Sequence, residues 1–341
     1  MPPLLNHDQE SLIAYADEEY FGHGAEHRAL IDKFVALADE CGQMQPKIVG
    51  QGPMELVVQA AMIDLLAGTV TPEECYETIK AGIDDNDAFG QEMLLSLNRA
   101  GVNTSGILIA DNVSSGVGNI QIQSCAGKTQ NRIVVVPGAN MAIAKSDIAY
   151  IEQEIGRYDM VILQMEIPMA INETIATWAA HAGVPVMLNP APATKLKSDF
   201  LSNLCWIAPN EHEASVLTEM AIETESDIFR ATRKLQEDGC ANVIITLGDR
   251  GAACRSGESF FISPCVQCDH PIDPTAAGDS FIGAFCTAIS AGVAVHQAVE
   301  FANQAASITV SRMGAQPSLP DLQTVNSRLN AAGRAELLWD V

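Results

Sequence analysis

Met160-Val-Ile-Leu163, Val184-Pro-Val-Met-Leu188, Trp206-Ile-Ala208 and Val243-Ile-Ile-Thr246 are brief, mostly apolar runs. Patterns of helical period lie between them: Asn172 to Ala182, Glu211 to Met220 and Asp227 to Glu237. A strand with one wet face alternates apolar and polar residues, whereas a strand covered on both faces has no need to. Short continuous runs separated by helices therefore predict an α/β fold with a mostly parallel, doubly wound sheet flanked by helices. Ligands in such sheets gather beyond the carboxyl ends of the strands. The segments that follow these runs are where function is sought.

Working outward, Arg132 to Val136 is a short β-branched run closed by Pro137-Gly138. Val117-Gly-Asn-Ile-Gln-Ile-Gln123 alternates with period two, as a half-buried antiparallel strand should. Phe89 to Ala100 is amphipathic and ends at Gly101. No Pro/Gly/Ser-rich linker or internal repeat divides residues 84–341, which read as one domain. Residues 1–83 read as a separate, mainly helical segment: His27 to Cys41, Met54 to Leu66, and a helix opened by Thr71-Pro-Glu-Glu74. That opening has a Thr cap, a Pro at the first helical position and a Glu that reaches back.

A chain of 341 residues can bury a large core. Its net charge of −24 argues against nucleic acid or an anionic membrane as partner, since both need a basic face. No apolar run is long enough to span a bilayer, and the acidic start Met1 to Glu10 lacks the basic and apolar regions of a signal, so a cytoplasmic location is expected. The nine cysteines then read as reduced and partly buried. Cys265-Val-Gln-Cys268 stands without a second pair, and His23-Gly-Ala-Glu-His27 has a glycine between its histidines. Neither reads as a metal site, nor the cysteine pair as a redox one.

The run Asp273-Pro-Thr-Ala-Ala-Gly-Asp-Ser-Phe281 carries the chemistry. It sets a glycine turn before an apolar helix, Phe281 to Ile289, and so presents unpaired backbone N–H groups and the positive end of the helix dipole. That is a site for phosphate or a developing oxyanion. Asp279, in the first turn, can act as general base toward a hydroxyl held beside the same phosphate.

This run resembles the signature of the ribokinase-like (PfkB) family of sugar and nucleoside kinases, and further segments resemble that family in the same order. Gln130 to Asn140 looks like the strand leading toward the sugar. The resemblance implies that Glu166, in Gln164-Met-Glu-Ile-Pro168, binds sugar hydroxyls; on its own it also reads as an exposed loop Glu. Pro209-Asn-Glu-His-Glu213 carries the family's Asn-x-x-Glu pattern, which implies Asn210 and Glu213 near phosphate and hydrated Mg²⁺. The same residues also make a simple Asn-capped helix. Thr246, Gly248 and Gly251 of Thr246-Leu-Gly-Asp-Arg-Gly251 would serve the nucleotide, and Asn303 matches a position that faces adenine. Arg312 to Ser318 resembles the segment that encloses a potassium ion with Asp273 and the carbonyl of Thr275. The other implied ligands are the carbonyls of Thr309, Arg312 and Gly314, plus Ser318. The implied activity is ATP-dependent phosphorylation of a pentose, D-ribose first, at its primary hydroxyl. Asp279 would be the base, Ala276, Ala277 and Gly278 would frame the anion hole, and Mg²⁺ and K⁺ would assist.

The resemblance runs from about Asp84 to the end and departs at the front. The family begins with a strand carrying Asn-x-Asp and continues through lid strands to Gly-Gly-Lys-Gly-Ala-Asn-Gln. The first has no counterpart here, and the lid strands look missing or replaced by helices. The nearest to the second is Val49-Gly-Gln-Gly-Pro-Met-Glu55, which keeps Gly50 and Gly52 for the sugar but has Gln51 for Lys, Met54 for Asn and Glu55 for Gln. Weakened sugar binding with better-preserved ATP binding is the expectation, and a homodimer would have to form through a surface other than the lid. Two readings stay open: a sugar or nucleoside kinase, or a non-catalytic protein that keeps the nucleotide fold to bind or regulate.

Overall fold

The structure is a computed structural model and describes residues 88–110, 113–125, 128–268 and 270–338, with the backbone of Met44–Lys47. It divides into two compact units, Met1–Ala142 and Ile143–Val341. The sequence reading placed the boundary at 83/84 instead.

The first unit holds helix α1 (Ala88–Arg99) and strands β1 (Met44–Lys47), β2 (Val117–Cys125) and β3 (Lys128–Val136). The strands form an antiparallel sheet in the order β1-β2-β3. β2 and β3 pair along their whole lengths, from Val117 opposite Val136 to Cys125 opposite Lys128. The front reads as mainly helical with few strand signals, yet β1 lies within it and pairs with β2 from Met44 opposite Gln123 to Lys47 opposite Ile120. Four residues containing a proline give little strand signal, but Pro46 is tolerated because β1 is an edge strand. The three helices expected before residue 84, the His23/His27 pair, Gly50 and Gly52 lie outside the described residues.

The second unit is built on a six-stranded sheet of order β4 (Val161–Gln164), β5 (Val186–Asn189), β6 (Trp206–Ile207), β7 (Asn242–Thr246), β8 (Ala252–Ser256), β9 (Ser259–Ser263). β4 to β7 are parallel, as the apolar runs predicted. β8 and β9 continue the sheet antiparallel, an edge the sequence reading did not place. Its readable signal is Gly257-Glu258 between them, with Gly257 at φ 56, a two-residue hairpin turn. Helices α2 (Ile151–Glu154), α3 (Met169–Ala182), α4 (Ser198–Leu201), α5 (Glu211–Thr218), α6 (Glu225–Glu237), α7 (Ala277–Ser290), α8 (Val295–Val310) and α9 (Leu322–Ala331) complete the unit.

The strands alternate between two cores. Val186, Leu188, Ile207, Val243, Ile245 and Ala253 pack with apolar residues of α3, α5 and α6. Met187, Trp206, Ile244, Ala252 and Cys254 pack on the opposite face with α7, α8 and α9. This is the doubly wound arrangement, and it explains why the runs show no polar alternation. α7 is anchored by Phe281, Ile282 and Phe285, with Phe285 edge-on to Trp206 at 4.7 Å. Burying each such side chain is worth about 1.5–3 kcal/mol. Among the described residues no helix is long and apolar enough to cross a membrane.

Candidate active site

α7 starts in an unusual way. Its N-cap, Ala276, has φ 61, in the left-handed region that favours glycine. A non-glycine residue there costs roughly 1–2 kcal/mol, and such strain tends to persist where function needs the turn. The Ala277 N–H donates to Pro274 O at 3.2 Å, and the Ser280 N–H closes the first turn on Ala276 O at 2.9 Å. The N–H groups of Gly278 and Asp279 lie between these and belong to a first helical turn, which lacks partners four residues back. Of the expected anion-hole frame, then, Ala276 supplies the turn, Ala277 is turned inward, and Gly278 and Asp279 present the N–H groups.

Two further carboxylates, Glu166 and Glu213, lie within electrostatic reach of Asp279 at this helix end. Glu166 follows β4, and its loop is fixed by Met165 N–H donating to Ala191 O at 3.1 Å and by Glu166 N–H donating to Gln164 Oε1. Asn172, buried at the start of α3, donates to Gln164 O at 2.7 Å. Gln164 and Asn172 thus position Glu166, a role the sequence reading missed; a buried polar residue opening a helix is the signal that could have found it. The Glu166 carboxyl is raised first by burial and then by repulsion from Asp279. Glu213 is raised by burial, an effect opposed by its bond to the Asn210 N–H and by His212 and reinforced by Asp279. The Asp279 carboxyl is open to solvent, yet enough protein surrounds it to push it above the ordinary aspartate value of 3.8. The charge of Asp279 thus reaches both Glu166 and Glu213.

Asn210 and Glu213 form a capping box at the start of α5. Asn210 Oδ1 accepts from Glu213 N–H, and Glu213 Oε2 accepts from Asn210 N–H, both at 2.8 Å. The capped-helix reading is therefore realised, with Asn210 Nδ2 and Glu213 Oε1 outside the box. Asn210 bridges in parallel to Thr246 at the end of β7. Thr246 leads into the Gly248 to Gly251 turn, which Leu247 N–H closes on Gly251 O at 2.8 Å. Gly251 has φ 98, and an added Cβ would fall 2.1 Å from Ser263 O. Asn303 is buried and its amide donates to Ser263 Oγ at 3.0 Å and to Pro264 O at 3.2 Å, so it holds the strand end beside Gly251.

The residues that the resemblance implies for potassium are also gathered. Asp273 is 2% exposed; Oδ1 accepts from Thr275 N–H at 3.0 Å and Oδ2 from Gly314 N–H at 2.9 Å. The Arg312 N–H donates to Thr309 O at 3.0 Å, and Ser318 is fully buried, its hydroxyl donating to Ala315 O. Thr309 Oγ1 donates to Ser280 Oγ at 2.8 Å, which ties this loop to α7.

Residues 85–322 match the pfkB family of carbohydrate kinases, and the chain belongs to that family. It is a kinase, a phosphotransferase with an alcohol group as acceptor. It is 38% identical to a ribokinase of Schizosaccharomyces pombe over 73% of this chain and 78% of that one. A ribokinase of Haemophilus influenzae is 35% identical over 70% and 76% respectively. The structure of Arabidopsis thaliana ribokinase complexed with ribose and ATP matches with TM-score 0.65 and 32% identity, covering 72% of this chain and 79% of that one. Membership of this family does not favour the non-catalytic reading.

Because burial raises Asp279, a base at this position should take up its proton above pH 3.8. The protonated carboxyl accepts no proton, so kcat/KM should fall as pH drops through that raised value. A pH profile that stays flat down to the ordinary aspartate range would show that Asp279 is not the base.

Proposed function

We propose that this kinase transfers the γ-phosphoryl group of ATP to the primary hydroxyl of a pentose, D-ribose first, giving ribose 5-phosphate and ADP. The observation that carries this is Asp279, raised by burial and within electrostatic reach of Glu166 and Glu213, in the first turn of a helix whose Gly278 N–H is free of helical pairing. Asp279 takes the hydroxyl proton as that oxygen attacks the γ-phosphorus, and ADP leaves. The N–H groups of Gly278 and Asp279 stabilise the negative charge on the transferring group. Glu166 holds sugar hydroxyls from the end of β4. The Thr246 to Gly251 turn, with Gly248 open on its surface, receives the nucleotide, while Asn303 keeps its wall in place. The ribokinases among the relatives support ribose as first choice, and the Arabidopsis complex supports the pairing of ribose with ATP.

Two cations fit the residues present. Glu213 Oε1 lies outside the capping box and near the charge of Asp279, which suits hydrated Mg²⁺ that would bring the phosphates in with their charge offset, while the Asn210 Nδ2 group, a donor, would serve a phosphate oxygen. Asp273, the carbonyls of Thr275, Thr309, Arg312 and Gly314, and Ser318 are the donor set of a large, weakly hydrated ion such as K⁺. That ion would stiffen the loop behind α7. Rates should accordingly be higher in potassium than in sodium chloride at matched ionic strength, and equal rates would remove the monovalent site.

Coupled ADP release with a panel of pentoses, hexoses and nucleosides tests the proposal. D-ribose should give the highest kcat/KM. A nucleoside or hexose ahead of it by tenfold would reassign the acceptor, and calorimetry showing no adenine-nucleotide binding would overturn the whole reading.

A further inference from the structure

Cys265-Val-Gln-Cys268 has no part in the proposed transfer, yet it lies on a wall of the proposed nucleotide site. Its loop leaves β9 at Ser263, where Asn303 holds Ser263 and Pro264 from one side. From the other side Gly251 is so close that an added Cβ would fall 2.5 Å from Cys265 N. Asp249, in the same turn, and Cys268 both add to burial in raising the Cys265 thiol. Both cysteines are partly open to solvent, whereas Cys240, Cys254 and Cys286 are buried. Those three thiols are pushed up to about 12, which removes them from thiol chemistry at neutral pH.

The chain from Pro264 to Cys268 makes no turn or bend. Such a stretch spans about 10 Å between residues three apart, at roughly 3.3 Å per residue. A disulfide needs Cα atoms about 4.4–6.8 Å apart. Bridging the pair would fold the segment into a turn and draw Cys265 away from Gly251.

We infer that Cys265 and Cys268 form a thiol-disulfide pair whose oxidation by a small-molecule disulfide weakens nucleotide binding. The inference rests on the nucleotide reading of Gly251 and Asn303. The Cys268 thiolate attacks one sulfur of the small disulfide, and the first small thiolate leaves. Cys265 then attacks the sulfur of Cys268 in the mixed disulfide, expelling the second small thiolate. The two protons from the protein thiols go to the two leaving thiolates, so one disulfide is reduced as one forms. A bond made at the cost of bending the loop is readily reduced, the property of regulatory disulfides.

The test uses the full chain, incubated with oxidised glutathione or with dithiothreitol, then followed by peptide mass and by ATP calorimetry. Oxidised protein should lose two hydrogens within the peptide that carries both cysteines. Its Kd for ATP should rise roughly tenfold, the equivalent of one hydrogen-bonded contact, and recover in dithiothreitol. Cys268→Ser should bind ATP like the reduced protein and ignore oxidised glutathione. No Cys265–Cys268 bond, unchanged ATP affinity once the bond has formed, or a Cys268→Ser variant that still responds would each overturn the inference. Reduced protein that fails to bind ATP would overturn the nucleotide reading and the regulatory effect with it. The mass measurement separates that outcome from failure of the pair to oxidise.

Discussion

Asp279→Asn should lower turnover by at least ~10²-fold, the usual contribution of a positioned general base, while ATP affinity stays within a few-fold. Asparagine keeps the shape and the helix start but accepts no proton at neutral pH. The variant should also melt no lower than the parent, for an electrostatic reason. Glu166 and Glu213 are raised partly by the charge of Asp279, so their ionised forms are disfavoured in the folded chain. A carboxyl with a raised folded value favours folding below its unfolded value and loses that contribution as pH rises through the folded one. Above the raised values the repulsion is fully present, and removing the Asp279 charge relieves it. Any gain in melting temperature should vanish at a pH where all three carboxyls are protonated. Steady-state kinetics and melting curves at both pH values check this. Activity within a few-fold of the parent would leave Asp279 a helix-turn residue only.

Gly251→Ala should be the most damaging small substitution in the nucleotide turn. Its Cβ would fall 2.1 Å from Ser263 O, 2.5 Å from Cys265 N and 2.6 Å from Pro264 C, all backbone atoms that cannot swing aside. The φ of 98 adds a conformation that L residues rarely adopt. Overpacking and backbone strain together should cost about 3 kcal/mol or more. They should also displace the loop that Asn303 holds, so ATP binding should weaken with stability. Gly248→Ala is the control in the same turn: φ is 59, but nothing lies within 4 Å of the new Cβ. Its cost should be about 1 kcal/mol, the backbone term alone. Equal loss in the two variants, read by denaturant unfolding, would mean that the contact with Ser263 is not what requires glycine.

The parallel half of the main sheet was legible because burial on both faces leaves a direct mark: Val186, Met187 and Leu188 are consecutive apolar residues that face alternate cores. The capping box at Asn210 and Glu213 was legible for a similar reason, since both partners lie within one helical turn. Asp279 was singled out because a helix start, a glycine turn and a carboxylate are neighbours in the chain.

What the chain by itself determined was local: which runs are strands, where helices begin, and which short motifs can meet a phosphate. Only the tertiary structure decided the relations between distant segments. It set Asp279 near enough to Glu166 and Glu213 to raise both, brought Asp273 to Gly314, and placed β1 against β2. It also turned Asn303 into a support for Ser263 and pressed Cys265 against Gly251. Local pattern reports the period of burial along one element, because each residue's neighbours within a turn or a strand are set by backbone geometry. Coulombic repulsion, a backbone clash and a cross-strand pair depend on distances through space, and those exist only once the chain has folded.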